Sequence, residues 1–237
     1  MNIFTHARLD ALERSLDVSF DDKSLLELAF VHSSFLAEFP EVYPESNERL
    51  EFLGDALVGL VVAHELYTRF PERPEGQLTQ MRATLVSKEA LAQVADVLEM
   101  GGYLILGKGE TETGGVERES NRANAFEALI GAIFLDQGYG AAREFTLRVM
   151  EQPIKAVVSG DAPLKHPKSL LHEVSMSRGY GPPVYKVINQ TGADHDREFT
   201  VEAVVNGKPT GHGTGGRKAL AEREAAREAL KAMDVSE

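Results

Sequence analysis

The chain has 237 residues, 43% of them hydrophobic, no cysteine and a formal net charge of −12. That length allows one large or two smaller domains, each able to bury a core. The absence of thiols excludes disulfides and thiolate metal sites and suits a reducing cytoplasm. The opening MNIFTHARLDALERSL is amphipathic and charged, unlike a signal peptide. No apolar run reaches the roughly 18 residues of a membrane span, so no membrane is expected as a partner.

Charge alone argues against nucleic acid, but it is unevenly spread. Residues 165–234 hold 11 Lys+Arg against 9 Asp+Glu, a balance of +2, whereas residues 1–164 hold 14 against 27, a balance of −13. The acidic part reads either as plain solubility or as a carboxylate cluster that needs a divalent cation.

In chain order, SLLELAFVHSSFL, ERLEFLGDALVGLVVAHELYTRF, EGQLTQMRATLVSKEALAQVADVLEM and NRANAFEALIGAIFLDQG carry apolar residues at helical spacing. Residues 1–158 are therefore expected to form an all-α domain, broken at Pro40, Pro44, Pro71, Pro74 and the Gly-rich GGYLILGKGETETGG. That last stretch lacks the Gly-Lys-Ser/Thr ending of a phosphate loop and reads as an ordinary exposed loop. Polar SGDAPLKHPK reads as a linker, set at residues 159–167. Beyond it KSLLHEVSMSRG is helical, while VYKVINQTG and REFTVEAVVNGK alternate, with Phe199, Val201, Ala203 and Val205 on one face. Asn206-Gly207 signals a turn. A weak third strand around Pro209 to Gly213 leads into the Ala-rich RKALAEREAAREALKAM. Residues 168–235 are thus a small α+β unit of order α-β-β-β-α, a sheet with two helices on one face.

The stretch NERLEFLGDAL sets three carboxylates against an apolar run. At 100° per residue from Glu48, Glu51 falls at about 300° and Asp55 at about 340°, opposite a stripe of Leu50, Leu53, Leu57 and Leu60. Beyond Asp55 the acidic face turns to Val58, Gly59 and Val62, which a solvated face would not do. In NRANAFEALIGAIF, Asn124 and Glu127 share a face with Ala128 and Gly131. With Gly59 on the first helix, those small residues would let the two axes approach closely. The oxygens of Glu51, Asp55, Asn124 and Glu127 could then meet at one hard cation such as Mg²⁺. Capping, solvation or ion pairs to Arg49 and Arg122 would explain the same carboxylates without a metal.

Taken together, NERLEFLGDAL, EGQLTQMRATLVS, GKGETETGG, FEALIGAIFLDQG and LERSLDVSFDDKSLLELAFVHSSF closely resemble the signature of bacterial ribonuclease III, from about residue 9 to residue 232. The resemblance implies a metal-dependent endonuclease that cuts both strands of duplex RNA, leaving 5′-phosphates, 3′-hydroxyls and short 3′ overhangs, in the processing of rRNA and mRNA precursors. Carried over, Glu51, Asp55 and Glu127 are the acidic ligands of Mg²⁺, with Mn²⁺ a possible substitute. Asp55 and Glu127 are the principal catalytic pair, and position 124 completes the site. Glu48 is a supporting acid and Glu75 a weaker one. Phe52, at about 40° on the same wheel, matches a residue that such enzymes insert into a second subunit, which implies a homodimer.

The C-terminal part resembles the family's double-stranded-RNA-binding domain, which reads duplex shape across two minor grooves. Its implied contacts are Lys168, Ser169, His172 and Glu173 on the first helix, His195 in the loop TGADHDREF, and Lys218 at the last helix. Where the family has two adjacent basic residues, this chain has Lys218 then Ala219, with Arg217 one position early and Arg223 as a possible compensation. Asn124 stands where the family nearly always has Asp. A duplex-RNA-binding protein with weakened or lost catalysis is therefore the alternative reading. A purely helical dimerisation module is disfavoured by the 165–234 unit.

Overall fold

The computed structural model describes residues 4–159, 167–192, 198–216 and 218–235. The chain divides into two compact units, residues 1–156 and 157–237, each treated separately below.

The first unit is helical among its described residues: α1 His6–Leu16, α2 Lys23–Leu28, α3 Ser33–Glu38, α4 Glu48–Arg69, α5 Glu75–Leu85, α6 Lys88–Val97, α7 Lys108–Glu112 and α8 Glu119–Val149, then α9 Glu151–Ser159 towards the unit boundary. Two of the long periodic stretches break where the backbone has other partners. Between α2 and α3, Val31 bridges to Ile105, and His32 Nδ1 then accepts from the Ser34 amide at 3.2 Å. Between α5 and α6, Ser87 caps the new helix by accepting from the Ala90 amide at 3.2 Å. α8 kinks at Gly138, whose φ of 82° only glycine adopts readily.

The Gly-rich stretch is not an ordinary exposed loop. It folds into α7 and a 3₁₀ turn over Gly115–Glu117. Arg118 holds Glu110 with NH1 at 2.8 and 2.9 Å from its two carboxylate oxygens, and Asn121 Nδ2 adds a bond at 2.8 Å. Partners up to eleven residues away gave this order, so local composition could not show it.

α4 and α8 form the central packed pair. Their closest approach is at Gly54, where a Cβ would stand 1.7 Å from the Glu127 carbonyl oxygen, and at Gly131, where one would stand 2.4 Å from the Leu50 carbonyl oxygen. Gly59, expected to permit this approach, meets nothing within 4 Å. The core-facing stripe of α4 is rotated accordingly. Leu50, Leu57, Val58, Val61 and Val62 are buried, while Leu60 is 55% exposed and Leu53 only half-buried. The start of α4 is fixed by Asn47. Instead of capping the helix, its Nδ2 donates to the Ala29 carbonyl at 3.1 Å and its amide to Val31 at 2.7 Å.

The second unit runs α10 Pro167–Ser177, β1 Val184–Thr191, β2 Glu198–Val205, β3 Lys208–Gly215 and α11 Lys218–Ala232. The sheet is antiparallel in the order β1-β2-β3. Asn206 and Gly207, both at positive φ, close the β2–β3 hairpin. Val201, Ala203 and Val205 join Leu171, Ala221, Ala225 and Ala229 in the core, with Phe199 packed against it. β3 is a full strand despite its glycines. At Gly211 and Gly213 a Cβ would fall 2.2–2.4 Å from α11 backbone atoms, so the Ala-rich helix can lie directly on the strand.

Gly54→Ala should force α4 from α8 and lower the stability to unfolding by about 3 kcal/mol. Gly59→Ala should be neutral or stabilising by up to about 1 kcal/mol. Urea denaturation of both variants checks the contrast, and equal losses would remove the contact at Gly54.

Candidate active site

The Gly54 contact sets the place of the acidic residues. Glu51 and Asp55 lie one turn apart on α4, flanking the glycine, and Glu127 is the residue whose carbonyl the glycine meets. Glu127 is 7% exposed, Glu51 is half-buried and Asp55 is exposed. Burial, then the charges of Asp55 and Glu51, push the Glu127 carboxyl up to about 7, against a partial pull from Lys88. Burial also raises Glu51. Lys88 and a side-chain hydrogen bond from Asn124 oppose that rise, while Glu48 and Asp55 add to it. Glu51 and Asp55 on one helix therefore act on Glu127 of the other, and Glu48 acts on Glu51.

The Oδ1 atom of Asn124 is buried without a hydrogen-bond partner. A buried carbonyl oxygen left unsatisfied is costly unless something else meets it. Oxygen donors with surplus negative charge and one orphaned carbonyl suit a hard cation such as Mg²⁺. Among the described residues, however, no three His, Asp or Glu side chains stand grouped as a ready ion cage. The charges that a cation would neutralise repel one another in its absence.

The ion-pair explanation of these carboxylates does not hold for the two arginines that offered it. Arg49 NH1 pairs with Glu45 at 3.0 Å, and Arg122 Nε with Asp96 at 2.8 Å. Glu48 is exposed and accepts from Ser46 Oγ at 2.9 Å. Glu75 is exposed at the start of α5, where it accepts from Thr79 Oγ1 at 2.8 Å. Sequence reasoning missed Lys88, the first residue of α6, which acts on both Glu51 and Glu127. Its one signal was its place just after Ser87, a residue type that caps helices.

Phe52 is 81% exposed on α4, in line with Ala56, Leu60 and Tyr67, the last 74% exposed. These residues recur at helical spacing and form an apolar stripe on an outward face.

In the second unit, Lys168 hydrogen-bonds Glu222 and lies 4.7 Å over the Tyr185 ring. Lys218 Nζ is 3.8 Å from the other oxygen of Glu222. His172 and Glu173 are exposed on α10, which also carries Ser169. Arg223 Nε is 3.7 Å from Glu224 Oε1. His195 and Arg217 lie outside the described residues.

Residues 22–153 match the family model described as Ribonuclease-III-like, and residues 167–233 match the double-stranded RNA binding motif. The chain belongs to the ribonuclease III family. It is 42% identical over 233 residues to Ribonuclease 3 of Magnetococcus marinus, covering 97% of this chain and 94% of that one. It is 43% identical over 230 residues to Ribonuclease 3 of Pseudomonas aeruginosa, covering 96% of each. Among solved structures, the ribonuclease III nuclease domain of Campylobacter jejuni matches 61% of this chain and 96% of its own length, at 40% identity and a TM-score of 0.56. The chain is thus a ribonuclease III endoribonuclease, an all-α nuclease domain followed by an α+β double-stranded-RNA-binding domain. Among the described residues, no helix is long and apolar enough to cross a membrane.

A carboxyl raised from 4.5 to about 7 on folding stabilises the fold fully only below the unfolded value, and stability falls as pH rises through the folded one. Glu127→Gln removes that penalty. In metal-free buffer it should gain about 2–3 kcal/mol of stability at pH 8 and almost nothing at pH 4.5. Thermal melts across that range test this, and a pH-independent difference would contradict it.

Proposed function

We propose that this endoribonuclease is metal-dependent and hydrolyses both strands of duplex RNA, leaving 5′-phosphate and 3′-hydroxyl ends with short 3′ overhangs. The observation that carries the metal reading is the buried, unpartnered Oδ1 of Asn124 among desolvated carboxylates. Glu51, Asp55, Asn124 and Glu127 are the residues that would hold Mg²⁺, or Mn²⁺ in its place. A bound divalent ion supplies polarisation of the phosphoryl oxygen and a water of lowered pKa. Asp55, on the exposed side, is the carboxylate open to the scissile phosphate and its water, and Glu127 anchors the set from beneath. Glu48 adds like charge beside Glu51 and so increases the set's demand for a cation, whereas Glu75 has no observation in its favour beyond the resemblance. Residues 1–158 would carry this chemistry and residues 168–235 the RNA grip; of the linker read over 159–167, residues 160–166 lie outside the described residues. Precursors of rRNA and mRNA in the cytoplasm are the substrates that the resemblance implies.

Asn124 brings a carbonyl oxygen but no charge. The site is one negative charge short of four acidic ligands, so it should need more Mg²⁺ and respond strongly to Mn²⁺, which binds such ligands more tightly. The test uses long duplex RNA, single-stranded RNA and duplex DNA with Mg²⁺, Mn²⁺ or excess EDTA. Only duplex RNA with metal should be cut, and Glu127→Gln should lose most cleavage while still binding RNA. Asn124→Asp should lower the Mg²⁺ concentration for half-maximal cleavage roughly tenfold, the effect of about 1.4 kcal/mol at the metal. Cutting in EDTA would end the metal mechanism. An unchanged metal requirement in Asn124→Asp would remove position 124 from the ligands.

The exposed stripe Phe52, Ala56, Leu60 and Tyr67 supports a homodimer, since an isolated helix face rarely exposes so many aligned apolar residues. The Campylobacter jejuni nuclease domain has a structurally flexible region involved in its own dimer formation. Two copies related by a twofold axis would bring one acidic site to each strand. Phe52→Asp would bury an unpaired charge at a cost of about 3–5 kcal/mol. Sedimentation at micromolar concentration should find a dimer for the wild type and a monomer for the variant. A wild-type monomer would remove the two-strand arrangement.

A further inference from the structure

Two of the lysines at the proposed RNA grip come from different helices, yet both lead to one carboxylate. Lys168, from α10, hydrogen-bonds one oxygen of Glu222, and Lys218, from α11, stands 3.8 Å from the other. The Glu222 side chain is only 14% exposed, against 35% for Lys168 and 60% for Lys218. The carboxylate therefore lies beneath the two ammonium groups. The Tyr185 ring closes the floor under Lys168 at 4.7 Å, and burial together with Glu222 pushes its hydroxyl up to about 12. Glu224, the next acid on α11, is taken by Arg227 at 2.7 Å and flanked by Arg223 at 3.7 Å.

We propose that Glu222 is a built-in counter-anion that weakens the phosphate grip of Lys168 and Lys218, and so sets how tightly the C-terminal domain holds duplex RNA. The inference rests on reading that domain as the RNA grip. An ammonium has three donors. One is turned inward to Glu222, and the others remain for a phosphate. The phosphate meets two cations backed by an anion, a net charge of +1 instead of +2. In the free protein Glu222 also compensates the half-buried Lys168, a role that a bound phosphate would otherwise take over. Both effects favour the free state. They make the lysines conditional contacts, engaged firmly only when the rest of the surface is engaged too. That selects for a ligand with the full duplex shape over an isolated anion, by a built-in repulsive element.

The test uses the full-length chain in EDTA, so that no metal-dependent cutting takes place, with a duplex of about 20 base pairs, enough to span the domain's footprint. Wild type should bind measurably, and Lys168→Ala/Lys218→Ala should bind more weakly. Glu222→Gln should bind roughly three- to tenfold more tightly at low salt, the effect of releasing the two ammonium groups from a carboxylate that competes with the phosphate for them, with the gain shrinking as salt screens it. Glu222→Ala, which also removes the acceptor, should change in the same sense. Circular dichroism melts confirm that each variant is folded. In the Lys168→Ala/Lys218→Ala background the gain should largely vanish, because Glu222 acts through those lysines. Unchanged or weaker binding by folded Glu222→Gln would mean that the carboxylate braces the lysines, which overturns the proposal. So would an equal gain in the lysine-free background. If wild type itself does not bind the duplex, the reading of the domain fails, and this inference with it.

Discussion

The constraint on which the nuclease domain depends is the contact of two helix backbones at Gly54. A side chain there would occupy the position of the Glu127 carbonyl oxygen, so α4 and α8 touch main chain to main chain. Helices normally pack 8–10 Å apart, held off by the side chains between them. Removing those side chains brings Glu51 and Asp55 from one helix beside Asn124 and Glu127 from the other. A wider crossing would leave two separate acidic faces, each solvated. Gly131 repeats the device one turn along α8, and beyond Gly54 the valines Val58, Val61 and Val62 of α4 are buried in the core.

The closeness has an electrostatic cost that the fold bears elsewhere. Glu127 is pushed towards neutrality because burial removes its water while Asp55 and Glu51 supply like charge. Lys88 offsets part of this from the start of α6, and the Asn124 amide offsets part of it at Glu51. The remaining tension is held by packing with no role in the chemistry. Asn47 pins the start of α4 to residues 29 and 31. Asp136 Oδ1 and Oδ2, just before the kink in α8, accept the amides of Asp22 and Asp21 ahead of α2. The site is unfavourable by itself and persists because its frame is overdetermined, as is common at functional sites.

What the sequence made legible follows from range. The helical course of α4, the alternation of β2 and the Asn206-Gly207 turn are local patterns, and each appears as expected. The failures were all at contacts between distant segments. A helical wheel of α4 alone put Gly59 on the acidic face and Gly54 off it, and only the partner helix shows that Gly54 is the one needed. β3 read as the weakest strand because glycine weakens strands, until α11 is laid on its glycines and leaves no room for a Cβ. The Gly-rich segment before α8 looked unstructured because Arg118 and Asn121, which order it around Glu110, lie downstream of it. Lys88 and Glu222 are ordinary surface charges in one dimension.

The two domains meet the same problem, a polyanionic substrate, with opposite charge and similar restraint. The N-terminal part is strongly acidic, with 27 Asp+Glu against 14 Lys+Arg over residues 1–164, and would repel a phosphate backbone at its carboxylates. A binding domain of high positive charge could overcome that, but it would hold any RNA, cut or uncut, with equal force. This one carries only +2 over residues 165–234, has Ala219 beside Lys218, and pairs two of its lysines with Glu222. Modest charge leaves shape to decide binding, because only a duplex reaches enough weak contacts at once. Neither domain therefore carries the large positive charge that would hold RNA strongly by charge alone.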